Sequence, residues 1–476
     1  MASSDQSAQK LPLPTLTAMV VGGMVGAGVF SIPRNFAQAT GVYGALVAWA
    51  IAGAGMLMLA FVFQTLANRK PDLDAGVYAY ARTGFGPYLG FLSAFGYWAS
   101  ACVGNVSYWV LIKSTLGAVF PALGEGNTLL SVAISSVGIW AFHFLVLRGV
   151  QGAAAINKIV TIAKVVPLLL FLVLVIFALK PEVFMGNLWG GEGYGNLFQQ
   201  VKATMLVTVF VFLGIEGASN YSRFAKSRKD VGIATVTGFL GVLALFASVS
   251  ILSYGILPSA ELAQLRQPSV GSVLEAAVGP WGALFIGAGL IVSVLGAYLA
   301  WTLMAAEVLS IAAKKNDMPA FLARENANQV PAAALLMTSL LIQLVLVATL
   351  FSDDAFTFAL SLCSHLSLLP YFLTAAFALK LVRSGETYDT DPADSGKDTL
   401  IAALAAAYTI FLVFAAGLKF LLLGFLIYAP GTLLYRMTRR EQGKQLFTPP
   451  EWVVFGIAVV GAVIGLHGLV TGYITI

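Results

Sequence analysis

Residues 204–223 read TMLVTVFVFLGIEGASNYSR, and this stretch decides the fold. It has the length and apolar character of a membrane-spanning helix, yet it carries Glu216 near its middle. A carboxylate at the centre of a bilayer costs roughly 2.5–3.5 kcal/mol on insertion scales. Gly214 and Gly217 weaken the helix at the same place. We therefore predict a helix that is interrupted inside the membrane for a functional reason.

A second glycine-rich stretch, VGGMVGAGVF at residues 21–30, lies five predicted spans earlier in the chain. Two interrupted helices five spans apart are typical of an inverted repeat with a binding site between its halves, because an odd offset turns the second half over in the membrane. The alternative is that these glycines only form close helix-packing seams. The matched pair, together with Glu216, favours the inverted repeat.

Composition sets the class of protein. The chain has 476 residues, of which 59% are hydrophobic and 10% charged, with a mean hydropathy of +0.86. Soluble domains carry about 25% charged residues, so this is an all-α integral membrane protein. The basic residues form short clusters between apolar spans, which excludes a nucleic-acid surface. Cys102 and Cys363 lie in apolar segments and predict neither a disulfide nor a metal site.

Thirteen membrane spans are predicted from apolar stretches of about 20 residues. They cover residues 13–37, 43–66, 87–113, 128–147, 155–179, 201–224, 230–257, 281–313, 331–351, 355–381, 399–416, 419–437 and 451–474. The first span is not preceded by a cleavable signal pattern, so we expect it to be retained in the mature protein. The corresponding organisation is a tail (1–12), two five-helix repeats (13–179 and 201–381) and three further helices (399–476).

Charge predicts the orientation. With the N-terminus in the cytoplasm and thirteen alternating spans, 21 of the 27 lysines and arginines fall on the cytoplasmic side and six on the other. Positive residues accumulate on the cytoplasmic side of membrane proteins. The bias therefore supports both the number of spans and a cytoplasmic N-terminus.

The two interruptions predict the kind of ligand. A half-helix that starts in the membrane offers free N–H groups that suit a carboxylate; here they belong to Ala27, Gly28 and Val29. Freed carbonyl groups suit an ammonium group, and those near the breaks belong to Met24, Phe210 and Leu213. A zwitterionic amino acid fits both, and Glu216 favours a cationic substrate or a proton. A protonated core glutamate is the structural alternative.

Other candidates lie in spans 3, 5 and 8. One face of span 3 carries a small and polar stripe, which lines a cavity or a close helix contact: Tyr97, Ser100, Ala101, Gly104 and Asn105. Trp301 could stack on a cation, although a lone tryptophan is more often a packing residue. Glu307 either faces the interior or caps the cytoplasmic end. Lys164 in span 5 must pair or lose its proton, unless its amino group reaches the membrane surface.

No pattern predicts an enzyme, a cofactor or a channel. The sequence has no nucleophile–base pair, metal-ligand cluster or phosphate-binding loop, and no pore loop or charged ring. The class that remains is a transporter of small molecules.

Five motifs carry a resemblance that covers the whole chain in order: GGMVGAGVFSIP, YWASACVGN, FLGIEGAS, WTLMAAE and LPYFLTA. Together they resemble the amino acid–polyamine–organocation superfamily. Within it they are most similar to the basic amino acid antiporters of the arginine–ornithine branch. The resemblance implies a 5+5 inverted-repeat fold of the leucine-transporter type, in which helices 1 and 6 are broken.

The resemblance also implies roles for single residues. Asn105 would contact a guanidinium group, and Trp301 and Phe210 would stack on the substrate. A gate would combine Tyr97, Glu216 and Tyr371 with Phe210. Cys363 stands where the arginine–agmatine branch has a pocket serine, Gly23 where it has an asparagine, and Ala27 where it has another serine. Lys164 matches a lysine that replaces a sodium site and implies sodium independence.

These features predict an antiporter that exchanges arginine for ornithine one for one, without net charge movement and without sodium. The resemblance implies a role in the arginine deiminase pathway and a multi-pass protein of a bacterial inner membrane. A homodimer is one assembly that we expect. Lysine exchange, arginine–agmatine exchange and proton-coupled import of basic amino acids remain alternatives. The lipid bilayer is the other expected partner, and no nucleic acid is expected.

Overall fold

The computed structural model describes residues 12–73, 77–149, 153–191, 193–216, 228–388 and 394–476. Every regular element in these ranges is helical. The α-helices are α1 Leu13–Met24, α2 Ile32–Ala37, α3 Val42–Arg69, α4 Val77–Phe85, α5 Pro87–Gly117, α6 Leu129–Leu147, α7 Ala153–Ala178, α8 Pro181–Gly186, α9 Leu197–Phe212, α10 Arg228–Ser253, α11 Ser259–Leu262, α12 Ser269–Val278, α13 Pro280–Lys314, α14 Ala332–Ala348, α15 Ala355–Ser384, α16 Ser395–Glu441 and α17 Pro449–Val470.

The first predicted span is broken where the glycines indicated. α1 ends at Met24, Val25 and Gly26 are extended, and a short 3₁₀ helix, Ala27–Ser31, then leads into α2. The two halves are bent by 52°. The backbone groups freed at this bend lie at membrane depth, where they must be satisfied by protein or ligand.

The sixth predicted span is also interrupted. α9 ends at Phe212, after which Leu213 leaves the helical conformation and Gly214 adopts a φ of +102°, a conformation that favours glycine. Glu216 is the last described residue before the chain resumes at Arg228. The second half of the predicted span, residues 217–224, lies outside the described residues.

α5 lies at the centre of the helical packing. Nearly all of its side chains are buried, and it packs against α4, α13, α14 and α15. The first half-helix, α1, packs against α10, and α9 packs against α3 and α15. The stripe of small residues on α5 therefore faces other helices rather than lipid.

α16 is a helical hairpin rather than one straight helix. Its 47 residues would extend about 70 Å if straight, more than twice a bilayer's apolar thickness. Gly417 breaks it with non-helical torsions. Asp398 near its start pairs with Arg69, and Tyr435 near its end packs on Tyr88, so both ends reach the same side of the protein. This agrees with two predicted spans that meet at a tight turn.

Every predicted span has a helical counterpart in the described ranges. Nine helices there are long and apolar enough to cross a membrane, and the broken first span makes ten. The fold class, an all-α membrane protein, is confirmed. The count of thirteen stays a prediction, because it also depends on dividing α16 and on counting α5 and the short α9.

Candidate transport site

A cavity lies between the two helix breaks. Its volume is about 20 Å³, which in this conformation is room for a water molecule rather than for an amino acid. It is lined by residues from five of the predicted spans: Gly23, Met24, Gly26, Ala27, Gly28, Ala101, Gly104, Tyr108, Phe210, Val211, Leu213, Trp301 and Cys363. None of these side chains carries a charge, so the cavity wall is apolar apart from its backbone groups, a phenol, an indole and a thiol.

The breaks approach each other through their backbones. A β-carbon at Gly214 would lie 2.6 Å from the carbonyl oxygen of Gly23, so only glycine fits there. A β-carbon at Gly28 would lie 2.7 Å from the ring of Phe210. Glycine at both positions lets the two interrupted helices meet closely enough to share one cavity.

The start of the second half of span 1 has unpaired donors. The first N–H groups of a helix have no acceptor within it, and no side chain caps the segment that begins at Ala27. Ala27 and Gly28 line the cavity, whereas Val29 is fully buried beside it. This end of the segment therefore presents positive partial charge to the cavity, which suits an anionic group.

Glu216 is held by two tyrosines at the second break. The hydroxyl of Tyr97 donates to Oε1 at 2.6 Å, and that of Tyr371 donates to Oε2 at 2.6 Å. The backbone N–H of Gly214 donates to Oε2 at 3.2 Å. The cluster joins α5, the second break and α15, and Glu216 is only 6% exposed.

The tyrosine–glutamate layer lies on the side of the cavity towards the start of α5. Tyr97 precedes the cavity residue Ala101 by one turn, and Tyr371 follows Cys363 by about two turns. On the opposite side Phe210 packs edge-on against Phe356, with ring centroids 6.4 Å apart. The cavity is thus bounded by a polar layer on one side and by an aromatic layer on the other.

Beyond the aromatic layer, an ion-pair cluster joins three segments. Arg34 Nη1 lies 3.2 Å from a carboxylate oxygen of Glu125, and Nη2 lies 3.0 Å from one of Asp354. The backbone N–H of Arg34 also donates to Ser269 at 3.2 Å. α2 is thereby tied to the segment after α5 and to the start of α15.

Two predicted site residues point away from the cavity. Ser100 donates to the carbonyl oxygen of Cys363 at 2.8 Å and so joins α5 to α15. Asn105 is fully buried and donates to Thr302 at 3.0 Å, while its own Oδ1 has no partner in the described part of the chain. An unpaired buried acceptor costs about 1–3 kcal/mol, so a ligand donor that reached it would be favoured.

Lys164 reaches the first break from α7. Its ammonium group donates to the carbonyl oxygen of Gly22, and the side chain is 4% exposed. It therefore pairs with a backbone carbonyl near the end of α1 and does not extend to the membrane surface. The position is suited to neutralising carbonyl groups that a broken helix frees.

Glu307 is exposed and does not line the cavity. Eight predicted binding residues do line it: Met24, Ala27, Gly28, Ala101, Phe210, Leu213, Trp301 and Cys363. Tyr108 and Val211 line it as well and were missed. Tyr108 lies one turn beyond Gly104, so extending the stripe on α5 by four residues would have found it. Val211 gave no signal, because it is one apolar residue among many in α9.

The described ranges contain no group of three His, Cys, Asp or Glu side chains placed to hold a metal ion. A family model described as amino acid permease matches residues 11–420. The chain belongs to the amino acid permease family. The superfamily resemblance is confirmed by this match, which includes both breaks of the permease and every cavity residue.

Three curated relatives match the permease over nearly the full length of both chains. An arginine/ornithine antiporter of Pseudomonas aeruginosa is 50% identical over 99% of this chain and 100% of its own. An L-lysine transport protein of Corynebacterium glutamicum is 40% identical, covering 99% and 97%. An arginine/agmatine antiporter of Chlamydia abortus is 38% identical, covering 91% of each. All three names describe transport of cationic substrates.

Proposed function

We propose that this permease exchanges arginine for ornithine across the membrane by alternating access. The observation that carries the proposal is a carboxylate, Glu216, hydrogen-bonded beside an uncharged cavity that two broken helices enclose. An anion at this depth favours a substrate with net positive charge. The relative from Pseudomonas aeruginosa, which bears the name of this exchange, supports the choice of substrate pair.

The substrate would bind with its two ends on the two breaks. Its α-carboxylate would accept from the N–H groups that begin with Ala27 and Gly28. Its α-ammonium would donate to the carbonyl groups of Met24, Phe210 and Leu213. The aliphatic part of the side chain would lie between Phe210 and Trp301, whose aromatic faces also attract a cation. For Asn105 to contact a guanidinium group, its side chain would have to turn from Thr302 towards the cavity.

The two layers beside the cavity would act as gates. The layer of Tyr97, Glu216 and Tyr371 would open on one side, and the layer of Phe210 and Phe356 on the other. Glu216 would couple them to occupancy, because a bound cation competes with the tyrosines for its carboxylate. An empty site leaves the carboxylate bonded to the two tyrosines, which favours one state and makes exchange obligatory.

The exchange would need no ion gradient. Arginine and ornithine each carry one net positive charge at neutral pH, so a one-for-one exchange moves no net charge. Lys164 supplies a fixed cation to the carbonyl group of Gly22, where a sodium ion would otherwise be useful. We place the permease in a bacterial inner membrane with its N-terminus in the cytoplasm. A homodimer stays a prediction.

Lysine transport is the second candidate, because a relative named for it is 40% identical over nearly the whole chain. Among the described residues, the cavity wall carries no charged side chain that would discriminate an ammonium from a guanidinium group. Arginine–agmatine exchange differs from both, since agmatine lacks the carboxylate and carries two positive charges. That exchange would respond to a membrane potential.

The test is uptake of labelled arginine into proteoliposomes without sodium or a proton gradient. Vesicles loaded with ornithine, lysine, agmatine or buffer alone are compared at zero potential and at an imposed potential. We expect arginine uptake into ornithine-loaded vesicles only, or uptake into them that is well above uptake into lysine-loaded vesicles. The imposed membrane potential should have no effect on this uptake. Equal uptake into empty vesicles would contradict exchange. Uptake driven only by internal agmatine and changed by potential would replace ornithine with agmatine.

A further inference from the structure

Tyr108 places a hydroxyl group at the first helix break. It extends from α5 into the cavity, and its oxygen lies 3.6 Å from the point where a β-carbon of Gly26 would be. The side chain is 6% exposed. Within the described ranges this hydroxyl has no hydrogen-bond partner, and it is not among the polar atoms that are sealed off from the cavity. It is a donor available to a ligand.

The residues that begin this half-helix supply no side-chain donor of their own. Gly26 and Gly28 have no side chains, and Ala27 between them has only a methyl group. No side chain caps the helix that starts here. A carboxylate has about four acceptor positions, more than the exposed backbone N–H groups at one helix start readily fill. A phenol beside Gly26 can supply a further donor.

Two other buried aromatic residues that pack on or beside α5 have structural roles. Trp109 packs against Tyr298 and Phe142, with ring centroids 5.3 and 6.2 Å apart. Tyr428 donates its hydroxyl to the carbonyl oxygen of Leu366 at 3.1 Å. Tyr108 differs from both, because its polar end meets the cavity rather than a protein acceptor.

We propose that the Tyr108 hydroxyl donates to the α-carboxylate of the substrate and so selects amino acids over their decarboxylated amines. The assignment rests on the proposed function, which supplies an amino acid as ligand. It adds one charge-assisted hydrogen bond to those from the half-helix, and it replaces the hydroxyl that Ala27 lacks. An amine such as agmatine would leave the tyrosine unpaired and would gain nothing from it.

The test compares ligands with and without the carboxylate. Binding of arginine, agmatine, ornithine and putrescine is measured by calorimetry on purified protein in detergent, for wild type, Tyr108→Phe and Tyr428→Phe. A hydrogen bond to a charged group corresponds to roughly 10- to 100-fold in affinity. We expect Tyr108→Phe to weaken arginine and ornithine by about 10-fold or more and to leave agmatine and putrescine within about twofold.

Tyr428→Phe is the matched control, because it removes a buried phenol whose partner within the described ranges is the carbonyl oxygen of Leu366. It should change all four ligands by the same factor. The double variant Ala27→Ser/Tyr108→Phe should recover part of the lost arginine affinity, since a serine hydroxyl would stand at the same break.

Two failures are distinguishable. If Tyr108→Phe shifts arginine and agmatine equally, or shifts neither, the inference about Tyr108 is overturned and the exchange proposal stands. If wild type binds neither arginine nor ornithine, the exchange proposal fails instead. In that case lysine and cadaverine are used as test ligands instead of arginine and agmatine. Comparing the ligand that has a carboxylate with the one that lacks it still decides the role of Tyr108.

Discussion

The two helix breaks face one cavity but are built from different chemistry. The first, at Val25 and Gly26, presents backbone N–H groups and no charged side chain of its own. The second, at Leu213 and Gly214, is followed by Glu216, whose carboxylate is held by two phenols and a backbone N–H. The first break is thus a fixed electrostatic surface, whereas the second is a polar cluster that can exchange partners.

This difference suggests a division of labour between recognition and gating. Backbone groups cannot change their chemistry and suit the part shared by every substrate, the α-amino acid group. A carboxylate that shares two tyrosine hydroxyls can release either one when a cation arrives. One break would therefore recognise the substrate, and the other would report that it is bound.

Replacing Gly214 by alanine should have the largest effect. Its φ of +102° is strained for any side chain, and a β-carbon would lie 2.6 Å from the carbonyl oxygen of Gly23. We expect Gly214→Ala to give little folded protein by size-exclusion chromatography. Gly23→Ala is the matched control, because its β-carbon would meet the Gly214 carbonyl oxygen at an ordinary 3.7 Å. Equal yields of the two variants would show that the breaks do not meet as described.

Removing the phenols that hold Glu216 should slow exchange strongly. Each hydrogen bond to the carboxylate is worth about 1.5–3 kcal/mol, so Tyr97→Phe and Tyr371→Phe should each reduce ornithine-driven arginine uptake by about 10- to 100-fold. The double variant should lose less than the product of the two, because both act through one carboxylate. Tyr435→Phe, whose hydroxyl has no partner among the described residues, is the control. If the losses of the two single variants simply multiply in the double variant, the two tyrosines do not act through one carboxylate.

Asp317 is a buried carboxylate outside the site and serves as a comparison for Glu216. Asp317, after α13, lies 2.7 Å from Arg82 Nε and is 6% exposed. Burial raises the pKa of Asp317 to about 6, while Arg82, Lys315 and Lys444 act in the opposite direction. Because the folded state holds this proton more tightly than the unfolded state, its contribution to stability is present at low pH and is lost as pH rises through 6.

Wild type should therefore gain stability relative to Asp317→Asn between pH 7 and pH 5, by about 1 kcal/mol. Thermal unfolding in detergent at both pH values measures the difference. Exchange of arginine should be little changed at either pH, since Asp317 does not line the cavity. A difference in melting temperature that is independent of pH would contradict the pKa assignment.

The smallest effect on exchange is expected at Glu307, a carboxylate on the cavity-lining helix α13. It is exposed and lies away from the cavity wall. We expect Glu307→Gln to leave ornithine-driven arginine uptake within about twofold, because its side chain does not line the cavity. A loss comparable to that of the tyrosine variants would place Glu307 on the substrate path and end the contrast between the two carboxylates.

Much of this arrangement could be predicted from local sequence. The glycines at residues 22–28 and 214–217 indicated both breaks, because glycine is costly in a helix unless its conformation is needed. Glu216 indicated the site, because an intramembrane carboxylate is expensive. The hairpin at Gly417 was readable from a short turn between apolar stretches.

What could not be predicted depends on side-chain direction. Asn105 shares a face with cavity residues, yet it turns to Thr302, and Ser100 turns to the backbone of Cys363. A helical period gives the face of a residue but not the partner that its side chain selects. Tyr108 could have been found by extending the stripe on α5 by one turn. Val211 could be found only from the tertiary structure.

The most direct test of the account measures binding and exchange in one variant, Glu216→Gln. Glutamine keeps the size of the side chain and removes the charge that would report occupancy. We predict that arginine binding, measured by calorimetry, weakens by no more than about 10-fold, while ornithine-driven arginine uptake falls by more than about 100-fold, because recognition rests on the first break and gating on the second. Exchange that persists at the wild-type rate, or that falls only as far as binding does, would contradict this division.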